Sequence, residues 1–198
     1  YYGASRAEAV GPAPLVYSAD VGLAGEDATQ VRLCYPGTLD PALVAGKIVA
    51  CDRGTIARVD KSLAVYLAGG VGSILMNTGP SSLNADLHYV PTVHVDHVDR
   101  VAILAYITAE GAGATASLDG NTFLEVEAPF VASFSSRGPN QAGGDLLKPD
   151  IMAPGVDILA AVSPVGYNGA NYDYLSGTSM SSPHMAGLGA LMVQAHPN

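Results

Sequence analysis

Apolar positions in the first two thirds of the chain occur either in short runs or at helical spacing. The short runs predict four strands, at residues 15–17, 47–51, 71–76 and 115–118. Residues 58–68 carry apolar side chains at helical spacing, and Gly69-Gly70 follow them as typical helix C-terminal residues. The order strand, helix, glycine, strand predicts a βαβ unit and therefore an α/β fold.

The glycines at 69 and 70 do not predict a nucleotide site. A phosphate-binding loop places its glycines between a strand and the N-terminus of the next helix. Here the glycines follow the predicted helix and precede a strand. We therefore expect no nucleotide cofactor.

Three histidines and three aspartates lie within residues 85–99, namely Asp86, His88, His94, Asp96, His97 and Asp99. This density is compatible with a His, His, Asp metal site. Strand alternation favours another interpretation, in which Val93 and Val95 face the core while His94 and Asp96 face solvent. Asp96 would then cap a helix over residues 97–108. We expect this solvated face, and no metal.

The last third of the chain predicts two strands and a long helix. Residues 131–134 and 156–161 predict the strands, the second of them buried. The helix, over residues 179–195, is apolar around most of its circumference and is therefore expected inside a protein. A bend at Gly177-Thr178 places Ser179 at its N-terminus, where free N–H groups can stabilise an oxyanion. The alternative is that Ser179 or Ser182 is only an N-cap.

Composition narrows the choice of partners. The chain has 198 residues, 48% of them hydrophobic, and no run of 18 apolar residues, so we expect a soluble protein without a membrane segment. Nine basic residues against 18 acidic residues give a formal charge of −9, and Lys and Arg do not cluster. We therefore expect no nucleic-acid partner.

The two cysteines, Cys34 and Cys51, flank a stretch rich in Pro, Gly and Asp. Their spacing suits a disulfide that closes a turn-rich loop, which would stabilise the fold by roughly 3 kcal/mol. Two buried free thiols are the alternative.

The block G-T-S-M-S-S-P-H-M-A-G at residues 177–187 resembles the nucleophile motif of the subtilisin-like serine proteases, the subtilases. The segments 128–140 and 147–161 also resemble the core of that family. The resemblance implies that Ser179 is the acylated nucleophile and that its own N–H forms half of the oxyanion hole. It also implies that His184 packs behind the nucleophile, while the catalytic His comes from another segment.

Residues 34–118 resemble the protease-associated (PA) domain that some subtilases carry as an insertion. The resemblance rests on G-K-I-V-A-C-D-R-G, A-G-G-V-G-S-I-L-M-N and A-D-L-H-Y-V-P-T-V-H-V. It implies a non-catalytic β-sheet or open barrel flanked by helices, used for substrate access, partner contacts or homodimer formation. We accordingly expect a preceding segment or linker at 1–12, a PA domain at 13–120 and part of a subtilisin-like α/β peptidase domain at 121–198.

Together these resemblances imply a piece of a secreted serine endopeptidase that acts on proteins or peptides. No Asp-Thr-Gly-like motif, His-Gly-Thr-His-like motif or oxyanion Asn motif occurs in the chain, and neither Asp150 nor Asp157 has the family position of the triad acid. The chain alone is therefore expected to be inactive, because nothing in it would activate Ser179. The competing hypothesis is a non-catalytic PA-type module for protein interaction or dimerisation.

Overall fold

The structure is a computed structural model that describes residues 1–120, 125, 129–167 and 169–197. The chain divides into two compact units, Tyr1–Glu125 and Val126–Asn198. The predicted domain boundary after residue 120 falls on residues 121–124, which lie outside the described residues. Each unit is described by itself.

The N-terminal unit is built on a five-stranded sheet in the order β4-β3-β2-β1-β5. Neighbours among the first four strands pair in parallel, and β5 pairs antiparallel with β1. The strands are β1 (Val10–Tyr17), β2 (Ile48–Asp52), β3 (Gly72–Met76), β4 (Thr92–Val95) and β5 (Thr115–Leu118). The α/β class expected from the alternating pattern is confirmed.

Helices lie in the connections between the parallel pairs β1–β2 and β2–β3, whereas the described residues between β3 and β4 form no helix. Between β1 and β2 lie α1 (Ala28–Arg32) and α2 (Pro41–Val44), between β2 and β3 lies α3 (Arg58–Leu67), and between β4 and β5 lies α4 (His97–Glu110). The predicted glycines end α3, since Gly69 N–H and Gly70 N–H donate to the carbonyls of Tyr66 and Val65. Asp96 caps α4 as predicted, accepting from Val98 N–H.

Both faces of the sheet are covered, which explains why the first four residues of β2, Ile48 to Cys51, are all apolar. Val49 and Cys51 belong to a core that also contains residues of α1, α2 and α3, while Ile48 and Ala50 belong to a second core with residues of α4. All four side chains are fully buried. A strand buried on both faces favours consecutive apolar residues over alternation; the buried Asp52 at its end is paired with Arg32 and Arg100.

The side of β4 away from β3 is covered by the N-terminal segment. Ala4 and His94 exchange two backbone hydrogen bonds of 2.9 and 2.8 Å, and Ser5 Oγ donates to the Thr92 carbonyl. This pairing shows why the expected solvated face is wrong at His94, which has no exposed surface. Its Nδ1 accepts from Asn84 N–H at 3.0 Å, and its Nε2 lies 2.9 Å from Asn77 Oδ1.

The structure joins Cys34 and Cys51 in a disulfide with a Cα–Cα distance of 5.8 Å. It ties Cys34, two residues after the end of α1, to Cys51, the fourth residue of β2, inside the first core. Lys61 lies beside it with 1% of its surface exposed and donates from Nζ to the Leu33 carbonyl at 2.6 Å. Burial lowers the pKa of Lys61 from 10.5 to about 8.

The C-terminal unit contains an antiparallel strand pair followed by one long helix. The strands are β6 (Ile158–Ala161) and β7 (Tyr172–Leu175), and the helix is α5 (Thr178–Ala195). The strand predicted at 131–134 is wrong: Ser135 N–H donates to the Ala132 carbonyl, which makes a turn. A short, mostly apolar segment such as Val-Ala-Ser-Phe forms a strand only where a neighbour satisfies its backbone groups.

Two burial expectations for this unit also differ from the structure. The strand predicted over 156–161 forms over its last four residues, but it is not buried as expected, since Leu159 is 56% exposed. In the part of the chain that the structure describes, α5 has no buried residue. No helix among the described residues combines the length and the apolar character needed to cross a membrane.

Candidate active site

Ser179 is the second residue of α5 and is exposed to solvent. Its N–H is one of the first four of the helix, which have no partner within the helix. The positive end of the helix dipole lies at the same place. The local geometry therefore offers a reachable hydroxyl beside a backbone donor that can bind developing negative charge.

The first turns of α5 are weakly held by the helix itself. Pro183 lies inside the helix and has no N–H, so the carbonyl of Ser179, four residues earlier, lacks its usual helical donor. The N-cap residue, Gly177, has no side chain and makes no capping bond. The position of Ser179 must therefore depend on contacts from outside the helix.

Those contacts come from the turn before β6. Gly177 N–H donates to the Gly155 carbonyl at 2.8 Å. The side chain of Ser176 makes two hydrogen bonds to Asp157: Oγ accepts from Asp157 N–H at 2.8 Å and lies 3.0 Å from Asp157 Oδ1, to which it donates. Three hydrogen bonds thus join residues 155–157 to the two residues immediately before α5.

Close packing reinforces this junction. A Cβ atom at Gly155 would lie 2.3 Å from Ser181 Oγ and 2.9 Å from the Gly177 carbonyl oxygen, so only glycine fits there. Asp157 adopts a φ of +50°, a conformation that residues other than glycine rarely adopt and that Asp and Asn tolerate best. The turn is therefore shaped to lie directly against the start of the helix.

Comparison with known proteins identifies this segment. The model of the subtilase family matches residues 24–198. The chain belongs to the subtilase family. Among the curated relatives of this subtilase chain are two proteins of Arabidopsis thaliana, subtilisin-like protease SBT1.4, 46% identical over 196 residues, and subtilisin-like protease SBT1.7, 43% identical over 195 residues.

Each of these alignments covers 93% of the chain, but only 24% of the first relative and 25% of the second. The chain thus spans about a quarter of the length of the curated subtilases it matches. Among solved structures, an aminopeptidase from Aneurinibacillus sp. strain AM-1 aligns with a TM-score of 0.36 and 25% identity, over 59% of this chain and 25% of that chain.

The other polar residues singled out in this subtilase segment have partners of their own. His184 lies one turn after Met180 and its Nδ1 donates to the Met180 carbonyl at 2.7 Å. Among the described residues no hydrogen bond joins His184 to Ser179. Asp150 pairs with Lys148 on the surface. A concavity of about 550 Å³ in this unit is lined by residues between 129 and 152, and Ser179 is not among them.

The histidines of residues 85–99 in the N-terminal unit contact other side chains of that unit. His88 Nδ1 lies 3.0 Å from Ser62 Oγ, and His97 pairs with Asp96 at the start of α4. Burial lowers the pKa values of His88 and His94 to about 4. Within the described residues no group of three metal-ligating side chains comes together.

The contacts that hold the start of α5 were not predicted from the sequence. Ser176 lay next to the motif and Asp157 was considered only as a triad acid. Ser176 and Asp157 are 19 residues apart in the sequence, and no local sequence pattern predicts a side-chain hydrogen bond over that separation. The one usable signal is the glycine of the Pro154-Gly155 pair, because a glycine before a strand often marks a close backbone approach.

Proposed function

We propose that this chain carries the nucleophile of a subtilisin-like serine endopeptidase, which hydrolyses peptide bonds through an acyl-enzyme at Ser179. The observation that carries the proposal is the exposed Ser179 hydroxyl at the N-terminus of α5, within the residues that match the subtilase family. In the acylation step the Oγ atom attacks the scissile carbonyl carbon. The N–H of Ser179 stabilises the resulting oxyanion.

The proton acceptor for Ser179 is proposed to come from a segment other than those described. Among the described residues of the C-terminal unit, no hydrogen bond joins a histidine to Ser179, and His184 uses its Nδ1–H on the Met180 carbonyl. A serine hydroxyl without an adjacent base is a weak nucleophile. We therefore expect the 198-residue chain to be nearly inactive, and the intact protease to contribute the His and Asp of the triad.

The N-terminal unit is proposed to be a PA domain, spanning about residues 13–120, with no catalytic role. The proposal is supported by the motif resemblance and by a separately packed sheet with two cores of its own. Secretion is proposed from the same resemblance, and the buried disulfide is compatible with an oxidising compartment. Protein or peptide substrates, and dimer formation through this unit, belong to the same proposal.

Fluorophosphonate labelling tests the nucleophile directly. We expect the full-length protease to label at Ser179 and to lose both labelling and peptidase activity in Ser179→Ala. Ser163→Ala, a serine exposed in the loop between β6 and β7, serves as the matched control and should label normally. The isolated chain should not label appreciably.

Two outcomes would overturn parts of this proposal. A full-length protein that is folded but never labels at Ser179 would favour the non-catalytic interaction module. Stoichiometric labelling of the isolated chain would show that a histidine within it activates Ser179. In that case the proposed external base is wrong.

A further inference from the structure

We propose that Ser176 and Asp157 form a positioning pair that sets the location of Ser179 Oγ and of its oxyanion-binding N–H. The inference rests on the proposed function and extends it to two residues outside the catalytic triad. Neither side chain is assigned contact with substrate. Both act through the backbone that leads into α5.

The first step of the argument is the geometry of the pair. Ser176 Oγ accepts one hydrogen bond from the backbone of Asp157 and donates another to its side chain, at 2.8 and 3.0 Å. A hydroxyl used as both acceptor and donor by one residue is fixed in a single orientation. Ser176 is three residues before Ser179, so this fixed side chain lies at the base of the nucleophile turn.

The second step is that α5 does not fix its own start. Gly177 provides no side-chain cap and Pro183 removes the donor for the Ser179 carbonyl. The backbone bond from Gly177 N–H to the Gly155 carbonyl is the neighbouring attachment. The Ser176–Asp157 pair therefore replaces the missing cap by anchoring Ser176, the residue before Gly177, to the turn that precedes β6.

The third step concerns the backbone of Asp157. Its φ of +50° is a conformation in which glycine would be less strained. The Asp157 carboxylate accepts a hydrogen bond from the Ser176 hydroxyl, and glycine has no side chain that could do so. In this backbone conformation, both the N–H and the Oδ1 atom of Asp157 point to the Ser176 hydroxyl.

The expected consequence is selective for the chemical step. Nucleophile and oxyanion donor must both be held close to the reacting carbonyl, and a misplacement of about 1 Å costs roughly 100-fold in rate. Loss of the pair should move or loosen residues 177–179 while leaving the substrate-binding surfaces in place. We therefore expect kcat to fall and KM to stay nearly constant.

The experiment uses the full-length protease and two matched series. Ser176→Ala and Asp157→Gly each remove the side-chain bond. Ser176→Thr keeps the hydroxyl, Asp157→Asn keeps the acceptor oxygen, and Ser163→Ala is the control. We expect the first two to lower kcat about 10- to 100-fold with KM within about twofold of wild type, and the conservative variants and control to remain within about threefold.

Active-site titration separates positioning from folding. In Ser176→Ala the fluorophosphonate should still label every molecule, at a rate reduced by the same factor as kcat. The double variant Ser176→Ala with Asp157→Gly should be no slower than the slower single variant, because both remove one interaction. Full-rate labelling of a reduced fraction of molecules, or additive losses, would overturn the inference.

A second readout does not depend on activity. In the 198-residue chain, hydrogen exchange at Gly177 N–H should quicken at least about 10-fold in Ser176→Ala and remain unchanged in Ser163→Ala. If the wild-type protease fails to label, the proposed function is refuted. Hydrogen exchange at Gly177 N–H would still test the Ser176–Asp157 pair, because it does not depend on activity. Unchanged exchange together with an unchanged labelling rate would refute the pair alone.

Discussion

Asp52 is the centre of a network of charged hydrogen bonds in the N-terminal unit. Its side chain is fully buried at the end of β2 and receives Arg100 Nε and Nη2, each at 2.7 Å, together with Arg32 Nη1 at 2.5 Å. Tyr17 OH donates to the same carboxylate at 3.0 Å. These hydrogen bonds raise the pKa of Arg100, and burial, followed by the charge of Asp52, raises the pKa of Tyr17.

Asp52→Asn should therefore destabilise the unit by about 3 kcal/mol, because it leaves two arginines facing a neutral group. The free energy of unfolding from denaturant titration measures this loss. Asp20→Asn, at an exposed position, is the control and should change it by less than about 0.5 kcal/mol. Equal losses in the two variants would mean that Arg32 and Arg100, which are 38% and 23% exposed, turn into solvent at little cost.

Single-residue environments were the least predictable part of this protein. His94 alternates with apolar neighbours, which predicts a solvent-facing side chain, yet the Ala4 segment and Asn84 bury it completely. Lys61 is likewise buried in α3, while Tyr66 and Leu67 of the same helix are 57% and 59% exposed. Distant segments decide these environments, and periodicity within an element does not contain that information.

At the scale of elements, prediction succeeded where an element has strong local signals. The strands at 48–52 and 72–76 and the helices α3 and α4 lie within a few residues of their expected positions. The run at 131–134 failed because no partner strand pairs with it among the described residues. Helix α5 was predicted from its motif and composition, whereas the attachment of the residue before it, Ser176, to Asp157 was not.

The exposed helix α5 should make the 198-residue chain self-associate. Leu188, Leu191, Met192 and Val193 are 48 to 69% exposed, and burying each of them would stabilise a complex by on the order of 1 kcal/mol or more. Residues 149–198 contain no Lys or Arg to oppose association. Sedimentation velocity should show a mass that increases with concentration.

Leu191→Glu with Val193→Glu is the variant that should reduce this association. Tyr172→Glu with Val165→Glu, which adds the same two negative charges at exposed positions outside α5, is the control. A wild-type chain that stays monomeric, with rapidly exchanging amides across 188–193, would show that α5 is unfolded in isolation and not merely uncovered.

At the scale of the molecule, the buried histidines make stability dependent on pH. His94 has its pKa lowered from 6.5 to about 4, chiefly by burial, with Arg53 and Arg58 lowering it further and Asp86 opposing them. The unfolded chain binds this proton below about pH 6.5, whereas the folded chain resists it down to about pH 4. The stabilising contribution is therefore complete above pH 6.5 and is lost as pH falls toward 4.

The unfolding free energy should accordingly decrease between pH 6.5 and 4, by up to about 1.4 kcal/mol per pH unit for each such histidine. His94→Gln should flatten this slope by about one proton, even though it lowers stability at neutral pH. His196→Gln, at an exposed position near the C-terminus, should leave the slope unchanged. An equally steep slope in His94→Gln would assign the titration to other groups, His88 first.

The pairing of Ala4 with β4 and the approach of Ala7 to Gly120 affect how such a unit can be transferred from one protein to another. A Cβ atom at Gly120 would lie 1.7 Å from the Ala7 carbonyl oxygen, so the backbone entering β1 and the backbone leaving β5 touch. When a unit whose two ends meet is inserted into another protein, the insertion points can stay close together. The added cost is then only the modest loop-closure entropy of a longer loop. Transfer of the gene segment for such a unit into a new host protein would therefore leave the fold of that host protein intact.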